Sequence, residues 1–375
     1  MTSDEREQAW LASRGAQVYA VRAKMRFTIV TPSFNQLDWL RLCVASVRDQ
    51  VANSATQGAG SKEHGANRSD LCRVEGSEDA ERDETGNRKP EGMREKISIE
   101  HIVQDAGTEG IEEFAREMGA SFHRDGKEVF SSQSSVGSDS KADYSLTIFS
   151  EKDGGMYDAI NKGLKKATGE ICAYLNCDEQ YFPGTLRWIA DYFYVSSQTD
   201  VLFGAAIVTR ADGSYVCDRR VMAPTRWHTM VSGNLSFFTS STFFRRKSVV
   251  ERGLLFDPQW RVSGDAVWAL RLLDAGLRME STHKPLSAFA ETGINLSAAG
   301  NPRAAEETQR LARVAPKFAR ALKPLVLLHY RLRRWCSGAY ALQPHEYSVY
   351  TLRDTRQRCR YHVSQPVFRW QPGVH

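Results

Sequence analysis

Apolar positions along the chain alternate between two periods. Short, mostly apolar runs of strand length are followed by stretches whose apolar residues recur at the three-to-four-residue spacing of one helix face. Phe27-Thr-Ile-Val-Thr31 is the first run, and Leu37, Leu40, Val44 and Val47 mark the helix after it. Ile97-Ser-Ile-Glu-His-Ile-Val-Gln104 is the second, with a helix from Ile111 to Met118. Met156, Ile160, Leu164 and Ala167 then share a face, and Ile171 to Leu175 reads as a buried strand. Gly169 between them is expected to close the helix as a left-handed C-cap. A helix from Pro183 to about Tyr194 follows, then a strand from Val201 to Val208 and a hairpin turn at Ala211-Asp-Gly213 before Tyr215-Val-Cys217. A strand from Ser240 to Arg246 ends in basic residues. Asp265 opens a last clear helix, with Trp268, Leu272 and Ala275 on one side. Strands alternating with helices predict βαβ units, a mostly parallel central sheet and an α/β fold.

Four stretches fall outside that rhythm. Residues 1–25 form a polar lead-in with a short helix expected around Trp10. Residues 51–96 are dominated by Gly, Ser, Asn, Glu and Arg, and residues 125–144 are rich in Ser. Both are too poor in apolar surface to offset the entropy of ordering, so flexible insertions are expected there. Residues 297–375 read as a basic, partly helical C-terminal extension, with two basic helical segments broken by Pro316 and Pro324. No internal repeat is visible.

The chemistry gathers where strands end. The first strand runs into Thr31-Pro-Ser-Phe-Asn-Gln36, the second into Asp105-Ala-Gly-Thr108, and the third stops on Asn176, Asp178 and Glu179. Open α/β sheets bind ligands at the carboxyl ends of their strands. An acidic tip at that place needs a partner, because an unpaired buried charge is costly, and a divalent cation is one such partner. The glycine fingerprint of dinucleotide sites is absent.

Bulk properties narrow the picture further. The 375 residues, 41% hydrophobic and 25% charged, fit a globular protein, and a net charge of +5 does not argue for nucleic acid. Seven dispersed cysteines without a C-x-x-C pair fit reduced thiols. Met1 to Lys24 lacks an apolar signal region, and no apolar run is long enough to span a bilayer. A cytoplasmic chain is therefore expected, peripheral on the inner membrane face if the basic segments 303–334 lie on anionic lipid. A solvated basic helix pair is the equal alternative for those segments.

Four ordered segments resemble the family 2 glycosyltransferases with the GT-A (Rossmann-like) fold, of the non-processive bacterial surface-polysaccharide type. They are Thr31-Pro-Ser-Phe-Asn-Gln36; Ile102-Val-Gln-Asp-Ala-Gly107; Ser150-Glu-Lys-Asp-Gly-Gly-Met-Tyr-Asp-Ala-Ile-Asn-Lys-Gly163 with Leu175-Asn-Cys-Asp-Glu179; and Ser241-Thr-Phe-Phe-Arg-Arg246 with Gly264-Asp265. The third is the most specific. The resemblance covers a domain over residues 26–296 apart from the two insertions.

The resemblance implies an inverting transfer of a single sugar from a nucleotide-diphosphate donor, usually UDP-linked, to a hydroxyl of a glycan or lipid-linked acceptor. Thr31, Pro32 and Ser33, with Asn35, would line the base and ribose. Asp105 would accept from the base N–H. Asp153 and Lys162 would flank the nucleotide-sugar pocket, with Asn176 beside them. Asp178 would hold Mg²⁺ or Mn²⁺, and Asp265 would be the general base. The chemistry suits these types: a hard cation stabilises a departing diphosphate, and inversion needs a base on the opposite face of the sugar. Asn176 stands where the family often has an aspartate, and Glu179 replaces a second one.

Plainer readings stand beside these. Asp265 could serve only as an N-cap, Asp178 and Asp105 as turn residues, and Asp158 could equally bind substrate or merely anchor the helix face. His228 and His283 lack metal-ligand spacing and read as structural or solvated; Arg245 and Arg246 could bind phosphate or an acceptor but read better as surface charge. Processive relatives carry Q-x-x-R-W, whereas Gln365 to Trp370 has one residue too many. The rival functions are a sugar-phosphate nucleotidyltransferase on a similar sheet and a non-catalytic nucleotide-sugar binder.

Overall fold

The structure is a computed structural model, and it describes residues 24–52, 97–132, 143–233, 235–293 and 302–370. The helix expected around Trp10 and most of the insertion at 51–96 lie outside the described residues, as do residues 133–142.

The first half of the chain builds a parallel block. Strand β1 (Met25–Ser33) lies between β2 (Ile97–Asp105) and β6 (Ile171–Tyr174), both parallel to it. Beyond β2 come β5 (Tyr144–Ser150) and β3 (Ser121–Arg124), again parallel, with β4 (Lys127–Phe130) antiparallel at the edge. The crossovers run through α1 (Leu37–Ala52), α2 (Ile111–Met118) and α3 (Met156–Lys166). On the far side of β6 the sheet continues with β10 (Thr242–Arg245), β8 (Val201–Arg210), β11 (Met279–Glu291) and β7 (Glu179–Tyr181), while β9 (Tyr215–Arg219) pairs with β8. The β6–β10, β10–β8 and β11–β7 pairs are antiparallel, and β8–β11 is parallel. The order therefore steps outward from β1 through β2, then returns to β6 on the other side. That reversal opens a crevice at the carboxyl ends of β1 and β6.

Strands of the parallel block are buried on both faces, which is why they read as apolar runs. On one face Phe27, Ile29, Ala173 and Phe243 pack against α1 and against α4 (Thr185–Val195). On the other, Val30, Tyr174 and Phe244 pack against Ile160 and Leu164 of α3 and against Trp268 of α7 (Gly264–Asp274). Between them in the chain lie α5 (Arg226–Val231) and α6 (Arg246–Val249).

Some local expectations are corrected. Helix α3 ends at Lys166 with Ala167 in extended backbone as its C-cap, so Gly169 does not supply a left-handed cap. Its role is close approach: a Cβ there would lie 2.4 Å from the Thr28 backbone nitrogen. The Gly169 N–H donates to Thr28 Oγ1 at 2.8 Å, and its carbonyl accepts from Arg246 Nε at 3.1 Å. Arg245 donates to the carbonyls of Phe193, Ser196 and Thr199. Both arginines are thus structural ties rather than free surface charge. Pro183 precedes its helix instead of opening it. The Ser-rich stretch begins later than expected, because Asp125-Gly126 turns β3 into β4 and Phe130 stacks on Phe122 at 5.6 Å.

Beyond β11 the chain forms three helices, α8 (Pro302–Val314), α9 (Lys317–Ala321) and α10 (Lys323–Cys336), and then a hairpin of β12 (His345–Val349) and β13 (Cys359–Val363). Leu311, Ala315 and Ala319 pack with Met230, Trp260, Ala266 and Leu270. The hairpin covers Ile207 and Ala288 with Tyr347 and Val349. Among the described residues no helix is long and apolar enough to cross a membrane.

Candidate active site

The carboxyl ends of β1, β2 and β5 are tied side by side. Ala106 N–H donates to the Ser33 carbonyl at 3.0 Å, and Glu151 N–H to the Asp105 carbonyl at 2.9 Å. The loop after β1 is pinned by Asn35, in left-handed backbone at φ 55°, whose N–H donates to Thr108 Oγ1 at 2.9 Å. Its side chain and that of Phe34 face solvent. Ser33 Oγ is buried with no sound hydrogen bond, only the Cys177 thiol nearby, and Gln104 Oε1 likewise has no partner. Two orphaned polar atoms at adjacent strand tips fit a ligand that brings its own donors and acceptors.

Thr31 is placed differently from the other residues of its motif. It is buried, and its hydroxyl meets His101 Nε2 at 2.9 Å, while His101 Nδ1 meets the Tyr144 hydroxyl at 3.1 Å. Pro32 is half-buried at the tip, and its carbonyl accepts from Cys177 Sγ at 3.3 Å. Asp105 is buried and already holds three donors: the N–H groups of Gly107 and Thr108, each at 2.8 Å, and Thr108 Oγ1 at 2.6 Å. In this structure its carboxylate caps its own turn.

The loop before α3 is built the same way. Asp153 Oδ1 accepts from Gly155 N–H at 2.8 Å, and Asp158 Oδ2 accepts from Gly154 N–H at 2.8 Å. Lys162 donates to the Lys152 carbonyl at 2.5 Å and lies 3.8 Å from Asp158. Asp158 therefore anchors the loop to the helix. Burial pushes the Asp153 carboxyl above the usual carboxylate range, against the Gly155 hydrogen bond, and the Asp158 and Asp105 charges add to that. Gly155, at φ 111°, leaves room for the Arg261 guanidinium, which a Cβ would meet at 2.4 Å. The loop before α3 thus touches the segment that precedes Asp265.

After β6 the chain turns through Asn176, Cys177 and Asp178 into β7. Glu179 is buried and accepts from Asn176 N–H at 2.7 Å. Burial first, and the Asp178 charge second, hold its carboxyl well above the usual range. A hard cation would relieve the repulsion between these two adjacent carboxyl groups, but among the described residues no group of three His, Cys, Asp or Glu gathers to hold one. Asn176 would add an amide oxygen. The Asp178 carbonyl accepts from Ala290 N–H at 3.1 Å, which brings the end of β11 beside this turn.

Asp265 lies in the first turn of α7, but Ser263 holds the N-cap position and makes no side-chain cap. Its Oδ1 instead accepts from the Tyr174 hydroxyl at 2.9 Å, and its own N–H donates to the Tyr157 hydroxyl at 3.3 Å. Tyr174 comes from the end of β6 and Tyr157 from α3, so Asp265 is tied to both elements. Gly264 allows this approach, since a Cβ there would lie 2.5 Å from the Tyr157 ring. Half-buried as a residue, Asp265 keeps a window to solvent, but its carboxyl is deep enough that burial raises its pKa to about 6, with the two tyrosine hydrogen bonds opposing. Its charge also reaches Glu179. A carboxylate tuned this way suits proton abstraction near neutral pH.

Two residues escape sequence reasoning. Glu307, buried in α8, accepts from the backbone N–H groups of Arg261, Val262 and Ser263 at 2.8, 2.9 and 2.8 Å. It clamps the segment leading into Asp265, and nothing local in a basic amphipathic helix marks it. Trp370 meets Phe289 at 5.7 Å and donates to Glu291 Oε1 at 2.6 Å. Phe289 pairs with Glu179 in the sheet, so the tail returns beside the acidic turn. An open cleft of about 650 Å³ lined by Arg41, Arg48, Asp49 and Tyr350 lies elsewhere and holds none of the motif residues.

Residues 139–254 match the family model described as Glycosyl transferase family 2. That segment contains the Asp153 loop, α3 and the Asn176–Glu179 turn. No curated protein matches the chain. Among solved structures, S. aureus TarS is similar at 14% identity and TM-score 0.46, with 83% of this chain aligned; the chain covers 44% of that one. TarS 1-349 in complex with UDP-GlcNAc is similar at 14% identity and TM-score 0.47, over 83% of this chain and 73% of that chain. The mannosyltransferase PcManGT from Pyrobaculum calidifontis, in complex with GDP-Man and Mn2+, is similar at 12% identity and TM-score 0.40, over 89% of this chain and 91% of that chain. The segment that matches the family 2 glycosyl transferase model thus holds the loop and the acidic turn at the switch point of a mostly parallel α/β sheet.

Proposed function

We propose that this protein is an inverting glycosyltransferase that moves one sugar from a UDP-linked donor to a hydroxyl of a glycan or lipid-linked acceptor in cell-surface polysaccharide synthesis. The observation that carries this reading is Asp265, held by Tyr174 and Tyr157 across from the Asp178 turn. The base and ribose are assigned to the tips of β1 and β2, where Ser33 and Gln104 keep unmatched polar atoms, with Pro32, Asn35 and the Asp105 turn around them. The backbone of Thr31 supports this wall from the core. Asp153, Lys162 and Asn176 flank the sugar diphosphate. Asp178, with Glu179 behind it, is assigned Mg²⁺ or Mn²⁺, which would neutralise the departing diphosphate. Asp265 takes the proton of the acceptor hydroxyl as that oxygen attacks the anomeric carbon.

Calorimetry of UDP binding with and without Mn²⁺, on wild type and Asp178→Ala, tests the reading. Metal-dependent binding that the variant loses is the expected result. Absence of UDP binding under both conditions overturns it.

The same reading places the protein on an anionic inner-membrane face. Phe318, Leu322, Leu325, Leu328, Leu332 and Trp335 of α9, α10 and their junction are exposed, Trp335 at 71%. Helix α10 buries no residue, and its apolar arc points outward. Between Glu307 and Glu346 the sequence has eight Arg or Lys and no Asp or Glu. An apolar stripe set among basic side chains suits an anionic lipid surface. Sedimentation with phosphatidylglycerol vesicles should capture the wild type in low salt and fail for Leu325→Glu/Leu332→Glu. Concentration-dependent dimerisation that the same variant abolishes, without vesicle binding, would assign the stripe to a second copy.

A further inference from the structure

The inward side of α10 is as unusual as its outward side. Arg334 lies over the Tyr340 ring at 4.8 Å and the Tyr330 ring at 5.9 Å, and its buried Nε has no hydrogen-bond partner. Arg219, from the end of β9, lies over Phe238 and Trp370, each at 5.7 Å. Tyr330 feels the charges of Arg334, Arg219 and Arg333 together. His228 stacks on Tyr330 at 3.8 Å, and its buried Nδ1 is also without a partner. His283 on β11 feels Arg220 and Arg334.

Carboxylates near this cluster are engaged elsewhere. Asp218 accepts from the Tyr215 hydroxyl at 2.7 Å and lies 3.5 Å from His345 Nε2. Glu291 takes the Trp370 indole. Among the described residues none forms an ion pair with Arg219 or Arg334. Burial and the Arg334 charge lower the pKa of Arg219, and burial with arginine neighbours lowers His228 and His283 to about 4. Partly desolvated cations without a counter-charge are costly unless an anion arrives to meet them. Arg219 and Arg334, each lying over aromatic rings, carry guanidinium groups suited to phosphate oxygens.

The position narrows the source of that phosphate. Phe238 and Trp370 both meet Phe289, the sheet partner of Glu179, so the cluster borders the acidic turn without being part of it. The donor's diphosphate is assigned to the Asp178 cation. We infer that Arg219 and Arg334, backed by Arg333, His228 and His283, form a second anion site that binds a phosphate group borne by the acceptor. This rests on the glycosyltransferase reading above, and it deepens that reading by making the acceptor a phosphorylated, membrane-presented one.

The test is binding of inorganic phosphate to the full chain, followed calorimetrically with and without saturating UDP and Mg²⁺. Wild type should bind phosphate equally in both, and Arg219→Gln/Arg334→Gln should lose at least tenfold in phosphate affinity while UDP affinity stays within twofold. Arg334→Lys in the single-site background should restore part of the loss. If UDP excludes phosphate from the wild type, or the double variant weakens UDP, the site belongs to the donor diphosphate and the inference fails. If wild type binds no phosphate, it also fails, whatever the fold of the variants. Loss of UDP binding by the wild type would instead sink the glycosyltransferase reading, so the two failures are distinguishable.

Discussion

The pKa of Asp265 makes the sharpest prediction. With that group as the base and its pKa at about 6, kcat/KM for sugar transfer should fall on the acid side with a midpoint at about pH 6. Tyr174→Phe removes the 2.9 Å donor to Oδ1 while keeping the ring that meets Phe256 edge-on at 5.4 Å. A hydrogen bond to a charged group contributes roughly 1.5–3 kcal/mol, and one pKa unit is about 1.4 kcal/mol. With Tyr157 and solvent taking up part of the loss, the acid limb should move upward by about one unit. The sign follows from which form the hydroxyl favours. It donates to the ionised carboxylate, so its removal favours the protonated acid. At pH 6 the variant should then retain about a fifth of wild-type kcat/KM, while the two rates converge at pH 9. The assay is a rate profile with a UDP-sugar donor from pH 5 to 9, run beside far-UV circular dichroism to confirm folding. A limb that stays in place, moves downward, or gives way to a uniform loss across pH would refute the assignment of Asp265 as a tyrosine-tuned base.

Further consequences are direct. Asp265→Asn should abolish transfer yet stabilise the fold above pH 6: the wild-type pKa is raised on folding, so wild-type stability is lost as pH climbs from about 4 to about 6, by up to roughly 2–3 kcal/mol. Melting temperatures of the two proteins should differ at pH 8 and coincide at pH 3.5. Glu307→Ala leaves three buried N–H groups unmatched, a cost of roughly 2–4 kcal/mol after water entry. It should lower Tm by several degrees and reduce kcat more than donor KM; an unchanged kcat in the folded variant would remove Glu307 from the positioning of Asp265. Trp370→Ala should raise the acceptor KM with little effect on UDP affinity, and equal losses in both would place the indole against the donor instead.

Legibility followed burial. Strands of the parallel block, shielded on both faces, appear as apolar runs around Ile29, Ile102 and Ala173, and their polar ends stand out against them. The edge strands do not: Lys127–Phe130 is mostly exposed, and its turn rests on Asp125 in left-handed backbone rather than on apolar pattern. Strand β11 carries His283, Lys284 and Pro285, whose irregular pairing with β8 breaks the alternation a reader relies on. At the proposed site, Asp153, Asp178 and Asp265 were legible as candidates because family-like motifs surround them. What each carboxylate does locally was not. Asp105 and Asp153 both accept from backbone two residues on, and Asp265 looks like any acid in a first helical turn until Tyr174 and Tyr157 are seen beside it. Glu307 and the arginine cluster draw their meaning from segments far apart in sequence, which no local pattern encodes.

The part of the chain outside the matched family segment is therefore not an appendage to a finished site. The segment at 139–254 contains the Asp153 loop and the acidic turn, but it ends before Asp265. The short loop leading into Asp265 points its backbone donors into the Glu307 carboxylate, and Glu307 belongs to α8. Had α8 packed only through Leu311 and Ala315, its register could slide with small apolar changes. Three hydrogen bonds to one buried carboxylate fix that register, because any slip would strand both the charge and the donors. The same helical segment continues into α9 and α10, whose exposed stripe faces away from the sheet while Arg334 faces toward it. A force that orients α10 would thus act on the loop that leads into Asp265. Under the proposed roles, α8 would couple where the acceptor is presented to how the proton is taken from it.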